Sequence, residues 1–340
     1  MKLKHSLTAL ALGLSAISSF AQVTVGVSFD AYQEERWKTD EAAIKAELAK
    51  SGAKYIMSDA GASTEKQLTD IDGLIAKGAK VLIVLARDKD AILPAIAKAK
   101  QLNIPVIAYD RLVDAPGVTY ITFNNKEVGR MTARAILAVK PKGNFAIIKG
   151  DPGDANANFL REGQGEVLAD AIKKGDVKIV GEEFTSGWNP QNAQKNMEQI
   201  LTKNGNKVDA VVAQNDGMAG GVIAALAAKG LAGIPVSGQD GDLAALNRVA
   251  LGTQTVSVWK NSRDLGAAAA KAAVELGNGK AVAGAEDFND NGKMKNTLKS
   301  LLLKPIPVTR DNLDVVVKAG HISKEALCKG VTDPKVAACK

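Results

Sequence analysis

From residue 23 onward, apolar β-type runs alternate with helical stretches, and halfway along the chain the alternation begins again. Val23 to Phe29 (VTVGVSF) is followed by Glu35 to Lys50, where Trp37, Ile44 and Leu48 share one helical stripe and Gly52 marks the stop. Lys54–Met57, Lys80–Leu85 and Ile104–Tyr109 are the next strands, separated by helices at Thr64–Lys77 and Ala91–Leu102. The second half runs Asn144–Ile148, Phe159–Lys174, Val177–Phe184, Pro190–Lys203, Val208–Ala213, Met218–Lys229 and Ile234–Ser237 in the same order. Local echoes support a duplicated plan: LNIPVIAYDR beside LAGIPVSGQD, and AKVLIVLARDKDAI beside VDAVVAQNDGMAGG. Within KVLIVL and VDAVVA, residues 81–85 and 210–213 are apolar without alternation, as strands covered on both faces are. The expected fold class is therefore α/β: two similar αβα lobes with parallel sheets.

The joins between lobes follow from where the pattern slips. Tyr120–Phe123 runs through Asn124-Asn125 into a new helix, which reads as the first crossing. Thr255–Lys260 and the Ala-rich helix Arg263–Leu276 read as a return to the first lobe, and Lys299–Val308 as a crossing back. The expected division is 22–123 with 258–284 as the first lobe, 124–257 with 285–325 as the second, and 326–340 as a tail. Several crossings suit a pair of lobes that bends about a hinge.

The ends add a compartment. Lys2 and Lys4 precede an apolar stretch, Leu7 to Ile17, and Ser19-Phe20-Ala21 is a small-x-small cleavage pattern. Residues 1–21 thus read as a secretory signal, with the mature chain starting at Gln22. Its removal lowers the net charge from +7 to +5. The remaining charges are interspersed, with no basic block of the kind that binds nucleic acid. Cys328 and Cys339, both near the C-terminus, would form a disulfide in an oxidising compartment.

Residue counts exclude much chemistry. Of two histidines, His5 leaves with the signal, so only His321 remains. Multi-histidine metal sites, HExxH, a GxSxG elbow and a P-loop are all absent, and no catalytic residue, metal or cofactor is expected. Asp287-Phe-Asn-Asp-Asn-Gly292 matches the first half of a calcium loop, but its twelfth position is Leu298, so it reads as a plain turn.

Open parallel sheets bind ligands beyond the carboxyl ends of their strands. After the first strand come Asp30, Glu34, Glu35, Arg36 and Trp37, and after the fourth Asp110 and Arg111. In the second half Asp151, Asp154, Asn156 and Asn158 follow the first strand and Trp188 the next. Asn215 and Asp216 follow VDAVVA, Gln239 and Asp240 follow IPVSG, and Lys260 ends the crossing strand. A sugar needs this mixture. Carboxylate, amide and guanidinium groups each grip neighbouring hydroxyls, while the C–H face of a pyranose packs on an aromatic ring. Singly, each residue has an ordinary structural reading: Asp154 and Asp216 as helix caps, Trp37 as core, Arg111 in a surface ion pair with Asp110. Their co-location carries the expectation.

These segments resemble the bacterial periplasmic D-xylose-binding proteins, soluble components of ABC-type sugar importers in the ribose/galactose-binding group. The resemblance runs from VTVGVSFD to about residue 320. It rests on EERW (34–37), AYDR (108–111), DAN (154–156), GWNPQNA (187–193), NDGMAGG (215–221), GQD (238–240), GTQT (252–255) with Lys260, and VELGNG (274–279). It implies a three-segment hinge and one aldopyranose held between the lobes. Arg36, Asp110, Arg111, Asn156, Asn215, Asp240 and Lys260 would be its polar ligands, and Trp37 and Trp188 its stacking residues. It further implies a periplasmic monomer that delivers sugar to a membrane permease with its ATPase. Three other readings compete. A transcription regulator would need a DNA-binding module where the signal stands. A glycosidase could use Asp110 and Asp240 as its paired carboxylates. A sensor subunit would present the sugar to a membrane receptor.

Overall fold

Continuous apolar runs become central strands and amphipathic stretches cover them. The computed structural model describes residues 22–340, and the expected signal at 1–21 lies outside the described residues. The first lobe begins with β1 (Thr24–Phe29), α1 (Arg36–Lys50), β2 (Lys54–Asp59), α2 (Thr64–Ala76), β3 (Val81–Val84), α3 (Leu93–Gln101), β4 (Val106–Tyr109) and β5 (Thr119–Phe123). The second follows with α4 (Asn125–Val139), β6 (Gly143–Lys149), α5 (Ala155–Lys173), β7 (Val177–Phe184), α6 (Pro190–Lys203), β8 (Ala210–Ala213), α7 (Asp216–Ala227), β9 (Ser237–Asp240), α8 (Leu243–Leu251) and β10 (Val256–Trp259). The chain then makes α9 (Ser262–Gly277), β11 (Glu286–Phe288), β12 (Leu298–Leu303), β13 (Ile306–Val308), α10 (Asp314–Lys318) and α11 (Lys324–Leu327).

The first sheet has seven strands in the order β11-β12-β5-β4-β3-β1-β2, all parallel except β11. Successive side chains of β3 face opposite cores: Val81 and Ile83 pack with α1 and α9, Leu82 and Val84 with α2 and α3. The second lobe holds β7-β6-β8 and β9-β10-β13, joined by a parallel bridge between Val211 and Val236.

Two expected boundaries are corrected. β10 does not return to the first lobe; it lies between β9 and β13 in the second. Its residues VSVW are all buried, so the strand needs a neighbour on each side, and the second sheet supplies both. Only α9 crosses back, burying Leu265, Ala269, Ala270, Ala272 and Ala273 against β1 and β3. Likewise 285–303 belongs to the first sheet, because β12 pairs in parallel with β5 and β11 with β12. The crossings therefore fall at 123–125, 259–262 and 303–306.

The tail is part of the second lobe. Leu327 and Val336 join a core with Leu246, Val249, Trp259 and Val316, and Asn247 donates to the carbonyls of Leu327 and Lys329. Cys328 and Cys339 are joined by a disulfide. The 287–292 segment begins in β11 and continues into a turn at residues 290–292. Its Asp290 pairs with Lys126, and no cluster of three or more His, Cys, Asp or Glu side chains that could hold a metal ion occurs among the described residues.

Candidate functional site

The site forms where strand ends of the two lobes face each other. β1 ends at Phe29, and the following loop carries Glu34 to the start of α1, where Arg36 and Trp37 lie in the first turn. β4 ends at Tyr109 and delivers Asp110 and Arg111. β10 delivers Lys260 at a crossing. From the second lobe come Asp154 and Asn156 after β6, Trp188 after β7, Asn215 after β8 and Asp240 at the end of β9.

The backbone is forced at these points. Eight described non-glycine residues have positive φ, and three of them are Asp110 (58°), Trp188 (55°) and Asp240 (101°). Positive φ is costly for a side chain as large as tryptophan and clusters at functional positions.

Arg36 is the hub. Its Nη1 lies 3.2 Å from Asp110 Oδ1 and 3.3 Å from Asp240 Oδ1, while Nε and Nη2 engage both oxygens of Asp40. Lys260 Nζ stands 3.2 Å from the same oxygen of Asp240 and 3.5 Å from that of Asp110. Tyr109 donates its hydroxyl to Asp40. Arg111 forms a second node, with Nη1 2.7 Å from Asp30, Nη2 3.2 Å from Glu34 and Nε 3.1 Å from Asp154. The Trp37 ring lies beside both guanidinium groups, 4.4 Å from that of Arg36 and 5.8 Å from that of Arg111. Asn156 Nδ2 donates to the Asp110 carbonyl, and its Oδ1 accepts from Asn125 and Tyr120.

These bonds bind one lobe to the other: Arg36 to Asp240, Arg111 to Asp154, Asn156 to Asp110. At the rim Gln33 donates to the Gly187 carbonyl and the Lys89 amide to that of Gly153. The lobes are closed on each other.

Three buried cations, Arg36, Arg111 and Lys260, thus face six carboxylates: Asp30, Glu34, Asp40, Asp110, Asp154 and Asp240. Burial raises the Asp110 carboxyl, but Arg36, Lys260 and Arg111 together outweigh it and hold it below the usual range. Burial pushes Glu34 up to about 7 and Asp154 to about 6, against Arg111 in both cases. Buried atoms without a hydrogen-bond partner include the acceptors Asp30 Oδ1, Asn125 Oδ1 and Gln239 Oε1 and the donors Trp188 Nε1 and Trp259 Nε1. With six carboxylates facing three cations, the cluster suits a neutral ligand rich in O–H donors and disfavours an anion.

All nine residues chosen from the sequence are buried, and seven of them lie at this interface. Arg36, Asp110, Asp240 and Lys260 meet directly, and Trp37, Arg111 and Asn156 adjoin them. Trp188 and Asn215 are not bonded to the cluster. The Trp188 ring packs over Gly150 and the second-lobe core, and Asn215 Oδ1 caps α7 through the Met218 amide. Sequence reasoning did not single out Asp40, Tyr109, Tyr120 or Asn125. Asp40 had a readable signal, one helical turn beyond Arg36. The alternative reading of Asp110 and Arg111 as a surface ion pair with each other does not hold: both are buried and paired with other partners.

A model of the periplasmic binding protein domain matches residues 25–281. The chain is 40% identical over 333 residues to the D-xylose-binding periplasmic protein of Escherichia coli (strain K12), covering 96% of this chain and 100% of that one. Identity to the D-xylose-binding periplasmic protein of Haemophilus influenzae is 38% over 336 residues, 96% of this chain and 99% of that one. Among solved structures, a carbohydrate transporter solute binding protein from Chloroflexus aurantiacus in complex with D-glucose aligns with a TM-score of 0.83 at 28% identity, over 90% of this chain and 98% of that one. The matched length takes in the strands and helices that supply Arg36, Asp110, Asn156, Asp240 and Lys260, and the chain belongs to the periplasmic binding protein family.

Proposed function

We propose that this protein captures a neutral monosaccharide, D-xylose in first place, between its lobes and delivers it to an ABC-type importer. The observation that carries the reading is the Arg36–Asp110–Asp240–Lys260 cluster, buried and built from both lobes. Vicinal hydroxyls of an aldopyranose donate to carboxylates and accept from guanidinium and ammonium groups, so one sugar satisfies both lobes at once. Trp37 and Trp188 supply apolar faces for its C–H surfaces. The relatives that bind D-xylose support the choice of sugar.

The mechanism is capture. Open and closed arrangements interconvert, and sugar favours the closed one because it contacts residues of both lobes. A permease then reads closure, and its ATPase supplies the energy. Presentation to a membrane sensor would use the same closure. The proposed working form is a monomer in the periplasm, without cofactor.

Isothermal titration of Gln22–Lys340, unfolded and refolded to strip bound sugar, tests this against D-xylose, glucose, ribose, arabinose and galactose. Micromolar or tighter binding of D-xylose, at least tenfold above the others, is expected. Preference for another sugar discards the xylose assignment, and no binding at all discards the sugar reading.

A further inference from the structure

Asp240 belongs to the second lobe yet has to meet Arg36 of the first and Lys260 at the crossing. It does so from a backbone with φ of 101°, outside even the left-handed helical region that aspartate tolerates. Its side chain makes only ion pairs, which do not dictate this φ, and its strand pairing with Trp259 would favour an extended backbone. The next two residues do. Gly241 also has positive φ, 80°, and its amide and that of Asp242 both point at one oxygen of Asp216, at 2.9 and 3.0 Å.

Asp216 is fully buried in the first turn of α7. The adjacent Asn215 already caps that helix, which leaves the Asp216 carboxylate available elsewhere. Its Oδ2 accepts from the two amides and from Ser257 Oγ at 2.5 Å, and Oδ1 accepts from Gln254 Nε2 at 2.7 Å. Gln254 is held in turn by Arg248. The carboxylate is seated without slack, since a Cβ on Gly238 would come within 2.1 Å of Asp216 Oδ1. His321 Nε2 donates to the Gly241 carbonyl at 2.7 Å. The turn after Asp240 is thus gripped at two amides and one carbonyl, none of which is available to a ligand.

We propose that Asp216 is the positioning residue of the sugar site: it binds no sugar, and by holding the Gly241–Asp242 turn it fixes the backbone from which Asp240 reaches the first lobe. This rests on the sugar-binding reading given above. A buried acidic residue with only a folding role would lower stability and leave the sugar contacts independent of it. A positioning residue acts through Asp240 alone, and its effect vanishes when Asp240 has lost its own.

The test is a double-mutant cycle on the full mature chain, read as D-xylose affinity by titration. Asp216→Ala is expected to weaken binding at least tenfold. Asp216→Asn, which keeps an acceptor oxygen for the two amides, should lose less than fivefold. In an Asp240→Asn background, Asp216→Ala should cost less than twofold more. Hydrogen exchange should find the Gly241 and Asp242 amides protected in the wild type and fast in Asp216→Ala. Should the alanine variant not fold, the Asp216→Asn loss is the one that must vanish in the Asp240→Asn background. Wild-type affinity in Asp216→Ala, or losses that simply multiply in the double variant, overturns the proposal. A wild-type protein that binds no sugar instead refutes the sugar reading, and amide exchange then decides alone whether Asp216 holds the turn.

Discussion

Gly150→Ala puts the location of Trp188 to a quantitative test. A Cβ built on Gly150 would lie 2.1 Å from Cη2 and Cζ2 of the Trp188 ring and 2.4 Å from Cε2. Carbon atoms in contact settle at about 3.5–4.0 Å, so the ring has to shift by more than about 1 Å. It has little freedom to do so. Trp188 is 3% exposed and already has positive φ, and its ring packs with Ile148, Ala193 and Met197. Overfilling of this kind costs about 1–3 kcal/mol of stability. Where Trp188 forms a wall of the sugar site, a comparable part of that cost appears in binding, about tenfold to hundredfold in Kd. Gly181→Ala is the matched control. Its Cβ would crowd Ile200 at 2.7–2.9 Å in the same core, on a strand away from the facing strand ends. The assay is D-xylose titration of both variants beside urea unfolding. The expected result is destabilisation of both with weakened binding in Gly150→Ala alone. If Gly150→Ala is destabilised yet binds within twofold of wild type, Trp188 is no part of the site. If both variants lose affinity equally, the effect is general softening of the lobe.

Other predictions follow from the ion network. Arg111→Ala removes the counter-ion shared by Asp30, Glu34 and Asp154, and urea unfolding should show a loss of about 3–5 kcal/mol, the cost of leaving buried charge unpaired. Arg36→Ala should abolish measurable sugar binding, whereas unchanged affinity would remove the hub from the site. Glu34 ionises near 4.5 when unfolded and near 7 when folded, so its proton favours the folded state and that contribution fades as pH rises between those values. Glu34→Gln lacks this titration. Its stability relative to wild type should therefore rise from pH 4.5 to 7, by at most about 3 kcal/mol, and a pH-independent offset in urea unfolding would refute the assignment. Replacing Cys328 and Cys339, 11 positions apart in sequence, together by serine opens their loop and should cost about 2–3 kcal/mol in the same assay.

The parts of this architecture that are local in the chain were readable there. VLIVL (81–85) and AVVA (210–213) announce central strands because an unbroken apolar run is stable between layers of helices. The residues after each strand pointed to the site because parallel strands end on one side of their sheet. What was not readable is which sheet a strand joins. VSVW reads as a buried strand in either lobe, and LKSLLL, with Leu298 and Ser300 buried and Lys299 exposed, looks like any edge strand. Their places depend on partners far away in sequence. The site shows the same division. Arg36 and Asp240 stand out as polar groups after strands, but Asp216 sits where an ordinary helix cap belongs. Only the structure shows Asn215 taking that role and Asp216 serving a turn twenty-five residues further on.

The three crossings also bear on when the protein can acquire its shape as it is made. Neighbouring places in both sheets are filled late: β12 lies against β5 in the first, and β13 against β10 in the second. Until residue 303 has emerged, the first lobe has an open edge at β5. Until about residue 336, the second lacks part of its core. A nascent chain therefore cannot complete one lobe and then begin the other, as a string of independent domains does. It remains an incomplete pair of sheets through most of its synthesis, with long-range pairings still to form. If the chain is exported as proposed, this order of assembly leaves it incomplete until its last segments have passed. The same order means that no single cut can yield a free-standing lobe: a first-lobe fragment needs residues 22–123, α9 and β11–β12 together.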